Sequence, residues 1–266
     1  MNLTIYPPKD SVFFYLFDYP IRYYGVIMAT VFLVGIFVSY FLFLKKYDKK
    51  TAEVFFDYSP LVIFISVIGA RIFYVFGSFE YYIKFPKEIL MINHGGLSIF
   101  GAIIFGLITI FVLSKKKAFD FLAHCDVIGI FCPLCQAIGR LGNFFNQEAF
   151  GAPTNGAIKL FVDEKFRPEH LTNVEYYHPA FLYESVLDLL IFFILLFLFF
   201  KFNNLKKGTI ACLYLILYSF ARIIVEQIRI DSVLNIVDIP IAQIIAFVLI
   251  IFASCSLILI YKKSTK

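Results

Sequence analysis

Residues 120–151 read DFLAHCDVIGIFCPLCQAIGRLGNFFNQEAFG. The stretch from 120 to 142 is almost wholly apolar and about as long as a bilayer-crossing helix, which takes roughly 20 residues. Its end is different, because Arg140, Asn143, Asn146, Gln147 and Glu148 follow within nine positions. Whether this is a core helix of a soluble protein or a membrane span with a polar end depends on the rest of the chain.

The composition decides the point. The 266 residues are 61% hydrophobic and 16% charged, with 35 phenylalanines, and the mean hydropathy is +0.82. A water-soluble domain is excluded by such a balance. Outward from 120–142, a 20-residue window finds further apolar runs at about 21–44, 54–77, 95–113, 179–200, 209–228 and 238–261. The expected fold is all-α, a polytopic integral membrane protein of seven spans that forms one membrane-embedded domain over 1–266. A small ordered loop region at 143–178 joins spans four and five. No signal peptide is expected ahead of the first span, since Asp10 and Asp18 interrupt the opening residues and no basic region leads a short apolar core.

Lysines orient the chain. Lys45, Lys46, Lys49, Lys50, Lys115 to Lys117, Lys201, Lys206, Lys207, Lys262, Lys263 and Lys266 all fall on one side of a seven-span arrangement, while the other side carries seven basic residues mixed with acids. The positive-inside rule therefore places the C-terminus in the cytoplasm and the N-terminus outside. The same lysines account for the net charge of +5 and face anionic headgroups; no nucleic-acid partner is expected.

Ionisable groups within spans are costly and mark sites or partnered pairs. In this topology Arg22, Tyr24, Arg71, His94, Arg140, Asn143, Glu184, Arg222 and Glu226 lie toward the outer side, with Asp57, His124 and Asp126 near the cytoplasmic ends. This bias points to a polar cavity in the outer half. Arg71, Arg140 and Arg222 point to an anion, because guanidinium binds phosphate or carboxylate bidentately and stays charged. Plainer readings stand beside these. Arg222 and Glu226, four apart, can neutralise each other; Arg71 can snorkel to the interface; Glu184 can partner an arginine; Tyr23 and Tyr24 fit an aromatic belt; Gly95 and Gly96 can close a loop or let backbone approach a ligand. Cys132 and Cys135 have the CxxC spacing of redox or zinc sites, yet they sit alone in an apolar run around Pro133 and read as core, as do Cys125, Cys212 and Cys255.

The segment GRLGNFFNQEAFG resembles the signature of the bacterial prolipoprotein diacylglyceryl transferases. IRYYG at 21–25, HGGLSIFG at 94–101, HPAFLYE at 178–184 and YSFARIIVEQIR at 218–229 resemble the family's other blocks, in the family's order. The resemblance covers essentially the whole chain. It implies a multi-pass enzyme of the bacterial plasma membrane, with its site on the extracytoplasmic side. Such an enzyme moves the diacylglyceryl group of phosphatidylglycerol to the thiol of the lipobox cysteine in a prolipoprotein signal peptide, forming a thioether and releasing glycerol phosphate.

By the same resemblance, Arg140, Arg222, Tyr24 and His94 are the expected catalytic residues. Arg140, Asn143, Gly151, Glu148 and Tyr218 are expected to bind substrate. Gln147 stands where some members have glycine. His94 is expected to take or relay the thiol proton, the arginines to hold the phosphate charge, Asn143 and Tyr24 to hydrogen-bond the headgroup, Gly151 to leave room for it, and Glu148 to orient an arginine or the loop. Neither a metal nor any other cofactor is expected. The alternative from another class is a polytopic anion transporter with an arginine-lined outer cavity, which would need polar groups along a path to both faces.

Overall fold

The computed structural model describes residues 3–92, 95–117, 119–230, 235–236 and 239–262. In chain order these form β1 (Leu3–Ile5), β2 (Val12–Leu16), β3 (Tyr19–Arg22), α1 (Tyr23–Lys46), α2 (Lys49–Gly77), α3 (Phe79–Lys84), α4 (Ile99–Lys117), α5 (Phe121–Asn146), β4 (Ile158–Phe161), β5 (Tyr176–Tyr177), α6 (Ala180–Lys201), α7 (Thr209–Glu226), β6 (Asn235–Ile236), β7 (Ile239–Pro240) and α8 (Ile241–Lys262). Among the described residues seven helices, all but α3, are long and apolar enough to cross a membrane. They are the seven expected from composition, shifted by a few residues at their ends. Phe193, Phe197, Val248, Ile251 and Phe252 stand exposed on α6 and α8, as lipid-facing side chains do. The chain packs as two compact units, residues 40–124 and residues 1–39 with 125–266, and each is described by itself.

Within 40–124 the helices α2 and α4 cross closely on glycine. A Cβ on Gly101 would overlap the Gly69 carbonyl, and one on Gly106 would stand 2.7 Å from Ser66 Oγ. Small residues let backbones approach where lipid tails supply no hydrophobic drive between helices. Gly101→Val is accordingly expected to cost about 3 kcal/mol by overpacking, read as a lowered midpoint of thermal unfolding in detergent; an unchanged midpoint would contradict the crossing.

The start of α2 lies five residues before the expected span. Asp48 caps it, accepting from the Thr51 N–H at 2.8 Å and the Thr51 hydroxyl at 2.8 Å, so a polar first turn still folds as helix. The Thr51 N–H, with its hydroxyl, holds the Asp48 carboxyl below the usual aspartate value. Pro60 sits inside α2 and lacks the N–H that would bond the Phe56 carbonyl. Ser59 Oγ donates to that oxygen at 3.0 Å instead. His124 is buried against Phe43 and Phe119, with ring centroids 4.6 and 4.2 Å away, and its Nδ1 lies 2.7 Å from the Asp120 carbonyl oxygen; it belongs to the packing of this unit.

In the other unit α6 is registered on α5 by Ser185 Oγ, which donates to the Ala137 carbonyl at 2.9 Å. Asp126 on α5 accepts from the backbone N–H groups of Gly208 at 2.7 Å and Ala211 at 2.9 Å. It thereby satisfies the opening turn of α7 and gives this acid within a span a packing role. Cys135 Sγ donates to the Val31 carbonyl at 3.5 Å, in keeping with a packing role for the CPLC pair.

Residues 143–178 hold more order than a loop. β1 pairs in parallel with β4, and β4 antiparallel with β5, over a small core of Ala149, Phe150, Leu160, Val162, Tyr177 and Phe181. The antiparallel hairpin β2–β3 turns at Phe17 and Asp18, φ +47° and +64°.

Candidate active site

Three arginines from two chain segments converge on one carboxylate. Glu184, in the opening turns of α6, is 1% exposed. Its Oε1 accepts from Arg140 Nη2 on α5 and from Arg222 Nη1 on α7, the latter at 3.2 Å. Arg222 Nη1 also reaches Oε2 at 3.3 Å, and Arg229 Nη1, just beyond α7, stands 3.6 Å from Oε2. Arg222 Nη2 pairs with Glu226 Oε2 at 2.8 Å, one helical turn on. Three guanidiniums thus gather around two carboxylates. The side chains of Arg140, Arg222 and Arg229 remain 22%, 16% and 12% exposed, so the cluster opens to a ligand on the arginine side while its acid is sealed.

Both plainer readings of these residues are present in the geometry: Arg222 does pair with Glu226, and Glu184 does partner an arginine. The pairings use only part of what guanidinium offers, since each carries five N–H donors. The expected trio of Arg71, Arg140 and Arg222 is corrected. Arg71 is buried and spends its donors on backbone carbonyls of its own unit, those of Glu88, Ile89 at 2.9 Å, Met91 at 3.3 Å, Gly95 at 2.6 Å and Gly96 at 2.9 Å. It ties together the backbone of residues 88–91 and 95–96. Gly95 and Gly96 have φ of +86° and +76°, and a Cβ on Gly96 would come within 2.6 Å of Arg71 Nη1, so the close approach that Gly96 permits is to Arg71. His94 itself lies outside the described residues.

Around Arg140 the signature folds tightly. Gly142 faces the Tyr24 ring, where a Cβ would come within 2.6 Å of Cδ2, so the glycine after Arg140 lets α1 lay this tyrosine along α5. Tyr24 is 38% exposed, and Glu148 and Arg140 are the charged groups acting on its hydroxyl. Beside it Tyr23 stacks on Phe145, with centroids 4.2 Å apart and planes at 7°. Glu148 Oε1 accepts from Asn143 Nδ2 at 2.9 Å and Asn146 Nδ2 at 3.1 Å. What Glu148 orients is this pair of amides. Tyr218, one turn before Arg222, stacks on Tyr214 with centroids 5.9 Å apart and lies within electrostatic reach of Glu184, Arg140 and Arg222.

Two positions after α5 take the left-handed conformation, Gln147 at φ +51° and Ala149 at φ +56°. Glycine is favoured at the first position beyond a helix for this reason. Gln147 compensates through its side chain, whose Nε2 donates to Asp163 Oδ2 at 2.6 Å and whose Oε1 accepts from the Asp163 N–H at 2.8 Å.

Gly151 pairs with Arg229 in an antiparallel bridge. Its N–H donates to the His178 carbonyl at 2.8 Å, and a Cβ would stand 2.7 Å from the Ile228 carbonyl oxygen and 3.0 Å from His178 Cβ. The room that Gly151 leaves is therefore taken up by backbone, which accounts for the glycine without a ligand. Gly151→Ala is expected to lower stability by about 1 to 3 kcal/mol and, by shifting the backbone that carries Arg229, to lower activity with it. Full activity at an unchanged melting midpoint would contradict this packing.

The structure brings Arg140, Arg222, Tyr218, Tyr24, Asn143, Glu148 and Gly151 into one unit. Sequence reasoning did not single out Arg229 or Asp188 for the site. Asp188 lies four residues after Glu184 on an apolar helix, a visible signal; Arg229 lies beyond the end of α7, where helical spacing from Arg222 carries no information.

The sequence model of the prolipoprotein diacylglyceryl transferases matches residues 11–259. Among curated proteins the chain is 40% identical over 238 residues to the phosphatidylglycerol--prolipoprotein diacylglyceryl transferase of Thermotoga petrophila, covering 88% of this chain and 78% of that protein. It is 42% identical over 227 residues to the protein of the same name from Thermotoga maritima, covering 84% and 76%, and 39% identical over 218 residues to that of Trichormus variabilis, covering 80% and 77%. A match that covers residues 11–259, and with them every arginine of the cluster, places this chain in the prolipoprotein diacylglyceryl transferase family.

Proposed function

We propose that this protein transfers the diacylglyceryl group of phosphatidylglycerol to the thiol of the lipobox cysteine of a prolipoprotein, with its site toward the extracytoplasmic side of a bacterial plasma membrane. The observation that carries the reading is the convergence of Arg140, Arg222 and Arg229 on buried Glu184, a cluster of fixed guanidiniums in and just beyond helices that otherwise suit lipid.

The chemistry asks for fixed positive charge of this kind. A free thiol has a pKa of about 8.5, so only a few per cent is thiolate at neutral pH. In the proposed reaction His94 takes or relays the thiol proton. The sulfur attacks the glyceryl carbon that bears the phosphate, the carbon–oxygen bond breaks, and its electron pair leaves on glycerol phosphate. Arg140 and Arg222 hold the phosphate as that charge develops, preorganised by Glu184 so that little reorientation is needed during the step. Glu148 holds the Asn143 amide, leaving Asn143 Oδ1 for a hydroxyl of the headgroup, and the Tyr24 hydroxyl offers a neutral hydrogen bond.

The test is a reconstituted assay with phosphatidylglycerol and a lipobox peptide, with the product read by mass. A mass increase of one diacylglyceryl group on cysteine is expected. A folded protein that yields no such product would overturn the proposal, and anion flux into liposomes would then test the transporter reading.

A further inference from the structure

The turn that closes the signature is held from outside itself. α5 ends at Asn146, and of the next three residues Gln147 and Ala149 both take the left-handed conformation, which costs a residue with a Cβ what it does not cost glycine. The turn nevertheless folds the chain back on the helix. The Glu148 N–H donates to the Asn143 carbonyl at 3.1 Å, and Glu148 Oε1 accepts from the side-chain amides of Asn143 and Asn146. Backbone preference alone does not select such a turn at a glutamine.

What holds it is Asp163. Gln147 is buried, and both ends of its amide are bound by this one residue: Nε2 donates to Asp163 Oδ2 at 2.6 Å and Oε1 accepts from the Asp163 N–H at 2.8 Å. A planar amide bound at both ends has a single orientation. Asp163 is fixed in turn by the sheet of β1, β4 and β5. It follows Val162, which belongs to the core under that sheet and whose N–H donates to the Glu175 carbonyl at 3.0 Å. Arg167 Nε donates to the Val162 carbonyl at 2.9 Å, and its Nη1 to the Thr172 carbonyl at 2.7 Å. Contiguous contacts therefore run from the core of the sheet through Asp163 and Gln147 to Glu148, and from Glu148 to Asn143. No step of the proposed chemistry uses Gln147 or Asp163.

We propose that Gln147 and Asp163 form a clasp through which the small sheet sets the orientation of the Asn143 amide, so that its Oδ1 is presented to a hydroxyl of the lipid headgroup. Both are positioning residues that act through Glu148. The inference rests on the proposed function for the identity of the headgroup; the hold of the clasp on the turn does not.

Gln147→Gly separates the clasp from the bare turn. Glycine takes the left-handed conformation without penalty, so if backbone conformation were all that mattered this variant would match the wild type or exceed it. The clasp gives a different result. With the full chain in phosphatidylglycerol nanodiscs, amide hydrogen exchange of residues 143–151 is expected to quicken on the order of tenfold as local opening becomes easier, while the melting midpoint of the whole protein stays close to that of the wild type. In the transfer assay the KM for phosphatidylglycerol is expected to rise about three- to tenfold, the worth of one neutral hydrogen bond. The kcat is expected to stay nearly unchanged, because Arg140 and Arg222 remain in place.

Asp163→Ala is expected to shift exchange and KM in the same direction, and Asp163→Asn to restore both, since its amide oxygen accepts from Gln147 and the backbone N–H is retained. Combining Gln147→Gly with Asp163→Ala is expected to do no more than Gln147→Gly alone, as for two residues of one contact. Wild-type exchange and KM in Gln147→Gly overturn the proposal. So does a joint fall of kcat and melting midpoint at constant KM, which is what a merely structural turn would give. Quickened exchange in Gln147→Gly with no transfer product from any of the proteins, the wild type included, would count against the transfer reaction and leave the clasp standing.

Discussion

Arg140→Ala is expected to lower kcat/KM for diacylglyceryl transfer by at least about a thousandfold, on the scale of 4 kcal/mol of lost transition-state stabilisation, while the protein still inserts and folds. The second half of that expectation comes from the geometry. Removing Arg140 leaves Glu184 paired with Arg222 and Arg229, so no buried charge is orphaned, and Arg140 is the most exposed of the three arginines. Arg222 is a poorer probe, because it serves Glu184 and Glu226 together and its loss would confound binding with folding. Arg140→Lys is expected to recover part of the rate, since an ammonium restores charge without the planar fork that holds Glu184 and phosphate together. The measurement is initial rate against phosphatidylglycerol concentration, with thermal unfolding of each variant alongside. Near-wild-type turnover in a folded Arg140→Ala would remove Arg140 from the mechanism.

How much of this was legible in the sequence differs between the helices and the site. The seven spans announce themselves because each is longer and more apolar than a soluble helix has reason to be, and the register of polar residues within them is local information. The sheet beneath Gly151 is not local. β1 at residues 3–5 pairs with β4 at 158–161, and strands of two to five residues leave no periodicity to detect. The same distinction separates the arginines. Arg140 and Arg222 stand inside recognisable blocks, whereas the role of Arg71 depended on where residues 88–91 and 95–96 lie, and that of Arg229 on its bridge to Gly151 beyond the end of α7. Glu148 was expected to steer an arginine or the loop; its actual partners, Asn143 and Asn146, are within five residues, but the left-handed turn at Gln147 that brings them together is what an amphipathic pattern does not encode.

Glu184→Ala carries the second large expected effect, and it differs in kind. Losing this carboxylate leaves Arg140, Arg222 and Arg229 close to one another without the acid they share. Breaking a buried ion pair from one side costs about 3 to 5 kcal/mol because the remaining charge is uncompensated, and here the acid is shared by three guanidiniums. The variant is therefore expected to lose a large part of its fold stability, to accumulate poorly in the membrane and to unfold well below the wild type in detergent, with activity lost as a consequence. Glu184→Gln separates the two contributions. Its amide keeps one oxygen as an acceptor and the same volume, so packing survives while the charge does not. If Glu184 acts mainly by fixing the arginines, Glu184→Gln retains a measurable fold, has a raised KM for phosphatidylglycerol because the guanidiniums are no longer held in one place, and regains stability when Arg229→Gln relieves the excess charge. A Glu184→Ala protein as stable as the wild type would mean that the arginines are held by something other than this carboxylate, and the preorganised cluster would have to be abandoned as the basis of the site.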